Sequence, residues 1–321
     1  MSNVHRIAFM GNPNSGKTTI FNALTGLRQK VGNYPGVTVE KKEGIISYDD
    51  GSEIVALDLP GTYSLSANSP DERIAVDILL GKISGVMRPD GIVCVIDASN
   101  LERNLYLISQ LIDQQYPMII ALNMIDIATQ AGMIINIKNL SEQLGVRIVP
   151  TVGSRAVGIP ELKSAMKHAF RVSPIAHAWH LPQQVGEEHR ELVNLLLTHG
   201  RATEEAAYEA TLLLSTPRPL KDFLGEFPEP VLDHVCRDYE RLEQLGFDRY
   251  SIFTESRYQW IRELCKGTIS RGPRKINYTG KIDSLVTHWF WGYVIFFALM
   301  TLMFQSIFTW ATKPMELIPL S

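Results

Sequence analysis

Apolar and polar positions follow two regimes along the 321 residues. In the first, short apolar runs recur between amphipathic stretches: Ile7-Ala8-Phe9-Met10, Ile54-Val55-Ala56-Leu57, Gly91-Ile92-Val93-Cys94-Val95-Ile96-Asp97, Met118-Ile119-Ile120-Ala121-Leu122 and Val146–Val149. Runs this short and this continuously apolar suit parallel strands covered on both faces. The stretches between them carry helical periodicity over 18–26, about 100–115, 125–130, 140–144 and 159–170. Ser69-Pro70-Asp71-Glu72 reads as a further helix start, with Ser69 as N-cap and acids in the first turn. Val39–Tyr48 alternates as a strand and turns at Asp49-Asp50-Gly51, whereas Leu27–Thr38 has no clear period and reads as a loop. The pattern predicts an α/β domain over 1–170, a mostly parallel sheet flanked by helices.

From Arg171 the regime changes. Ser173-Pro174 and Leu181-Pro182 mark a linker, and helical periodicity alone follows, over Glu187–Thr198, Thr203–Ser215, Val231–Leu245 and Thr254–Lys266. Gly200, Pro217 with Pro219, Gly246 and Gly267 supply the stops, so a small all-α domain is expected over 171–267. Residues 268–283 form a basic linker, and 284–312 contain no Asp, Glu, Lys or Arg. That length exceeds the roughly 20 residues a membrane helix needs. Trp289, Trp291 and Trp310 lie near the two ends, so one transmembrane helix over 284–312 is expected, with a tail at 313–321. Lys266, Arg271, Arg274, Lys275 and Lys281 precede the span, and by the positive-inside rule residues 1–283 belong in the cytoplasm.

Composition narrows this only slightly. A net charge of -3 argues against bulk binding of nucleic acid. Cys94, Cys236 and Cys265 share no CxxC spacing, which disfavours a disulfide framework or zinc site and fits a reducing compartment. Cys94 lies in an apolar strand and reads as core, while His177 and His180 flank a proline-rich linker and read as solvated. The polar start leads straight into a strand, so no signal peptide is expected.

The chemistry lies in the loops after the strands. Gly11-Asn12-Pro13-Asn14-Ser15-Gly16-Lys17-Thr18, followed by Thr19, follows a strand and opens a helix with GxxxxGK[ST] spacing. Glycines let successive N–H groups turn inward on phosphates, and the helix N-terminus adds partial positive charge. Lys17 supplies a full charge to the β and γ phosphates, and the Thr18 hydroxyl is a candidate Mg²⁺ ligand. Asp58-Leu59-Pro60-Gly61 is a DxxG element at a strand end, where Asp58 can hold Mg²⁺ through water and the Gly61 N–H can reach a γ-phosphate. Thr38, in the loop with Gly36 and Val37, is placed to close on the metal and phosphate only with the triphosphate bound. Asn123-Met124-Ile125-Asp126 is an NxxD element. The Asp126 carboxylate matches the N1–H and exocyclic amine of guanine, and adenine would leave it unpaired. An ATP-dependent kinase or ATPase would require Asp126 to be unrelated to the base.

The segments GNPNSGKT, NYPGVTVE, DLPGTYSL and NMID together resemble the N-terminal GTPase of the FeoB family, bacterial ferrous iron transport protein B. The likeness runs on through the helical part and HWFWGYVIFFALMTLMFQSIFTWA, covering essentially the whole chain. It implies a Ras-like P-loop GTPase fold, a helical domain that stabilises bound GDP, and coupling to a polytopic membrane part that carries Fe²⁺ across the bacterial inner membrane. It also implies the rest of that permease and small accessory Feo proteins as partners, with self-association left open. Within the family, Asn14 of the NPN loop implies a K⁺ ion beside the phosphates, with backbone carbonyls of Asn33-Tyr34-Pro35-Gly36 as further ligands. Lys17, Thr38, Gly61 and Asn14 would then carry catalysis. A Ser-Ala-type loop reading guanine maps to Val152–Ala156, giving Ser154, Arg155 and Ala156, with Arg155 where alanine is usual. Thr62 and Tyr63 follow DxxG, so the glutamine that Ras-type enzymes use to orient water is missing and slow intrinsic hydrolysis is expected. The rival reading is a regulatory GTPase whose single span is only an anchor.

Overall fold

The computed structural model describes residues 5–26, 29–34, 40–66, 70–83, 85–168, 179–216, 218–272 and 285–306. β1 (His5–Gly11), β4 (Glu53–Asp58), β5 (Gly91–Asp97), β6 (Met118–Asn123) and β8 (Arg147–Pro150) run parallel in the order β4-β1-β5-β6-β8. β3 (Glu40–Ser47) and β2 (Gln29–Asn33) extend the β4 edge in antiparallel pairing. The parallel strands are the continuous apolar runs, and the sheet is covered on both faces as that pattern requires. One face packs Ile7, Phe9, Val93 and Val95 beneath α1 (Lys17–Thr25) and α6 (Ile159–His168). The other packs Ala8, Met10, Ile92, Cys94 and Ile96 beneath α2 (Pro70–Leu79), α3 (Leu101–Asp113) and α5 (Ile137–Leu144). α4 (Ile125–Gln130) follows β6.

Two expectations change here. The stretch read as a loop contains β2, a polar edge strand (Gln29-Lys30-Val31-Gly32-Asn33) with Val31 63% exposed. An edge strand is held by main-chain bonds to β3 and needs no apolar alternation, so its periodicity is silent. The basic linker expected from residue 268 begins as β9 (Ile269–Arg271), which pairs antiparallel with β7 (Met133–Ile135). The Gly272 N–H donates to Gly132 O at 2.8 Å beside that pair.

The helical part consists of α7 (Gln183–Thr198), α8 (Thr203–Ser215), α9 (Glu229–Gln244) and α10 (Ile252–Thr268). Val185, Leu192, Leu196, Leu213, Val231, Val235 and Phe253 form its own core. α10 serves two cores, because Ile261, Leu264 and Cys265 pack into the α/β core instead. Arg257, 3% exposed, ties the parts together, pairing with Asp113 at 2.7 Å and donating to the Ser109 hydroxyl at 3.0 Å. Trp179 Nε1 donates to the same carboxylate at 3.1 Å. Residues up to Gly272 form one compact unit.

In the second unit, Trp291–Gln305 form α11. Among the described residues this helix begins at Trp291, later than the start of the expected span. His288 Nδ1 accepts from Phe290 N at 3.3 Å and Trp291 N at 3.4 Å, taking up amides at the helix start. Fifteen residues at 1.5 Å each span about 22 Å, against a hydrocarbon core of about 30 Å. Among the described residues no helix is long and apolar enough to cross a membrane. The end of the expected span, from residue 307, lies outside the described residues.

Candidate functional site at the strand ends

The loops bearing the motifs leave the carboxyl ends of β1, β4, β6 and β8, where open parallel sheets place their ligands. The first curls as its glycines allow. A Cβ on Gly11 would run into Val95 O, and Gly16, with φ 83°, has the Asn123 carboxamide where a Cβ would stand. Asn14 is also left-handed, with φ 65°, and its side chain is exposed. The Asn12 carboxamide and the Ser15 hydroxyl are buried without a hydrogen-bond partner among the described residues, an arrangement that costs about 1–3 kcal/mol per group. Thr18 and Thr19, in the first turn of α1, are exposed.

The DxxG loop lies against this cradle. Lys17 Nζ pairs with Asp58 Oδ1, which is itself buried. Leu59 N donates to Phe9 O at 3.0 Å and Thr62 N to Gly11 O at 3.1 Å, so the two loops run side by side. A Cβ on Gly61 would lie 3.3 Å from Pro13 Cα, which is why this position accepts only glycine without movement. Pro60 and Gly61 are half-buried. The Thr62 hydroxyl donates to Ser64 O at 2.6 Å and to Glu72 Oε1 at 3.2 Å, while Tyr63 N donates to the same carboxylate at 3.2 Å. Glu72, read from the sequence as a first-turn acid, is therefore the clasp of this loop. Tyr34 lies buried nearby, its phenol pushed up by burial and by the charges of Asp58 and Glu43. Thr38, Gly36 and Val37 lie outside the described residues, as does Ser69.

Asn123 joins the halves of the site. Its Nδ2 donates to Ser15 O at 2.8 Å, and its Oδ1 accepts from Gly153 N at 2.9 Å and from the Thr151 hydroxyl at 3.3 Å. It does not cap α4; Met124, in left-handed conformation, precedes Ile125 there. Asp126 follows in the first turn of α4 with its side chain 23% exposed, facing Arg155 Nη2 at 3.6 Å. Ser154, Arg155 and Ala156 are exposed on a short 3-10 turn, and the residues bonded to Asn123 are the preceding Thr151 and Gly153. The Gly153 contact is made by a backbone N–H, which leaves no mark on residue type, and the Thr151 hydroxyl sits in no motif; the one signal at Gly153 is its lack of a side chain, since a Cβ there would lie 3.1 Å from Ile20 Cγ1.

A cavity of about 1070 Å³ lies away from this site. It opens between Tyr63–Ser66 and the helical part, lined by Tyr208, Arg257 and Thr254 among others, and Tyr208 Oη donates to Leu65 O at 2.8 Å across it.

Comparison with known proteins follows this geometry. Residues 5–166 match the family described as ferrous iron transport protein B. An Fe(2+) transport protein A/Fe(2+) transporter FeoB fusion protein of Porphyromonas gingivalis is 38% identical over 98% of this chain, and the Fe(2+) transporter FeoB of Escherichia coli K12 is 37% identical over 93% of it. The chain spans 38% of the length of each. Among solved structures, a GDP-bound mutant of S. thermophilus NFeoB superposes with a TM-score of 0.72 at 34% identity, covering 83% of this chain and all of that one. The cytosolic domain of L. pneumophila FeoB gives 0.71 at 33% over the same shares. Both the sheet with its phosphate loop and the helical part that shares α10 with it are thus accounted for, and the chain belongs to the FeoB family.

Proposed function

We propose that this chain is the GTP-binding and GTP-hydrolysing cytoplasmic part of a GTP-dependent Fe²⁺ uptake transporter of the bacterial inner membrane. The observation that carries the reading is Asn123, which bonds the phosphate loop at Ser15 O and the base loop at Gly153 N with one buried carboxamide. A nucleotide held by one loop is thereby registered against the other, with Asp126 three residues on to accept from guanine. Lys17 exchanges its Asp58 partner for β and γ phosphate oxygens, and the inward N–H groups of 11–18 take the remaining charge. A water attacks the γ-phosphorus, the bond to the β–γ bridging oxygen breaks, and GDP and phosphate leave. Thr62 has no side-chain carboxamide, and its hydroxyl is committed to Ser64 O and Glu72, which supports a slow intrinsic rate.

Hard oxygen donors suit Mg²⁺, and Thr18, Asp58 and Thr38 are the residues that would hold it, neutralising charge on the phosphates. Asn14 would hold K⁺ beside the same phosphates. Release of Thr38 and the Asp58–Gly61 loop after hydrolysis would reach the helical part through Tyr208, and the permease and an accessory FeoA-type protein are the partners this implies. The decisive experiment is titration with GTP, GDP and ATP analogues, for the parent and Asp126→Asn. Guanine preference abolished by the substitution is expected; comparable affinity for ATP and GTP would overturn the reading.

A further inference from the structure

We propose that Arg155 is an internal mimic of the guanine edge, competing with the nucleotide for Asp126 and so hastening its release. The proposal rests on the guanine reading of Asp126 given above. Guanine meets a carboxylate with two parallel donors, N1–H and the exocyclic amine. A guanidinium carries the same planar fork of N–H donors. Arg155 brings one end of that fork, Nη2, to 3.6 Å from Asp126 Oδ2.

The approach is built into the loop. Residues 153–155 form a 3-10 turn closed on both sides: Gly153 N is held by Asn123 Oδ1 at 2.9 Å, and Val152 N donates to Val157 O at 3.0 Å. The bridge between Val152 and Val157 fixes the base of the turn, and Ala156 completes it at φ 55°. Arg155 therefore projects from a backbone tied to the same asparagine that orients the base loop. The pair is loose enough to yield. Asp126 is 23% exposed and Arg155 66% exposed, and the contact is an ion pair longer than a hydrogen bond. A partly solvated ion pair of this kind is worth a small multiple of thermal energy, so the competition amounts to about two- to fivefold in affinity. Anything that stabilises the empty site lowers apparent affinity by the same factor. As the base begins to depart, the guanidinium takes its place on the carboxylate, which lowers the barrier to release.

The test measures binding and release of fluorescent GDP by the full chain, for the parent and Arg155→Ala. The expected result is two- to fivefold tighter binding by R155A, seen mainly as slower release. A second arm uses Asp126→Asn with xanthosine diphosphate, whose carbonyl in place of the guanine amine accepts from an asparagine amide. With no carboxylate to compete for, adding R155A to D126N leaves xanthosine diphosphate binding unchanged. Equal or weaker GDP binding by R155A overturns the proposal, weaker binding meaning that the guanidinium packs on the bound base. The same gain in both arms also overturns it, assigning the effect to the shape of the turn. A parent that binds no GDP at all removes the guanine reading, and this proposal with it.

Discussion

Asn123→Ala tests the architecture of the site most directly. The side chain is 3% exposed and makes bonds of 2.8, 2.9 and 3.3 Å to Ser15 O, Gly153 N and the Thr151 hydroxyl. Alanine removes the carboxamide and leaves a buried carbonyl, a buried amide and a buried hydroxyl facing the space it vacates. At about 1 kcal/mol per bond, with the longest bond worth least, the loss is about 2–3 kcal/mol. For a unit of this size each kcal/mol shifts the midpoint by about 2–4 °C, so calorimetry should record a fall of about 4–12 °C. GDP affinity should fall at least tenfold as well, about 1.4 kcal/mol, because the phosphate and base loops lose their common reference. Asn123→Asp separates the two roles of the carboxamide: it keeps the acceptor for Gly153 N but sets an oxygen against Ser15 O. A melting point for Asn123→Ala within about 1 °C of the parent, with unchanged GDP affinity, would refute the idea that this residue holds the loops in register.

Two further outcomes are expected. GTP turnover should be faster in potassium than in sodium buffer, and Asn14→Ala should abolish the difference; equal parent rates in the two salts would dismiss the cation. Asp238, 2% exposed on α9, has its carboxyl pushed up to about 7 by burial and by the neighbouring Glu188 carboxylate, with Arg241 opposing and His234 at 3.6 Å. The folded chain then holds a proton that the unfolded chain gives up near pH 4, so stability falls as pH rises from about 4 to about 7. Asp238→Asn should flatten that fall in urea midpoints measured across the range, and an unaltered slope would show that Asp238 is not its source.

What the sequence revealed follows from how each feature is held. Runs such as Ile92–Ile96 and Met118–Leu122 are apolar because both faces of their strands are covered, so they announced themselves. β2, β7 and β9 are held by main-chain pairing at edges and leave no side-chain period to find. The loops with charged or glycine chemistry, at 11–18, 58–61 and 123–126, stand out in the sequence by residue type and spacing, and the structure brings all three to the carboxyl ends of the strands. Thr151 and Gly153 work largely through geometry, and Glu72 works by clasping the backbone of Tyr63, so their residue types carry little signal. α11 differs again: its composition is that of a span, but the His288 imidazole sets where the helix starts.

The β7–β9 pairing gives the molecule a mechanical layout. The helical part leaves the sheet domain after α6 and returns at Ile269–Arg271, so it is a side loop fastened at both ends. Tension on the chain beyond Gly272 is borne first by the clasp of β9 on β7 and by the Gly272–Gly132 bond. β7 in turn begins just after α4, whose first turn holds Asp126. Asp126 therefore sits one short helix away from the strand that clasps the chain at Ile269–Arg271, while the loop after Asp58 touches the helical part through Leu65 and Tyr208.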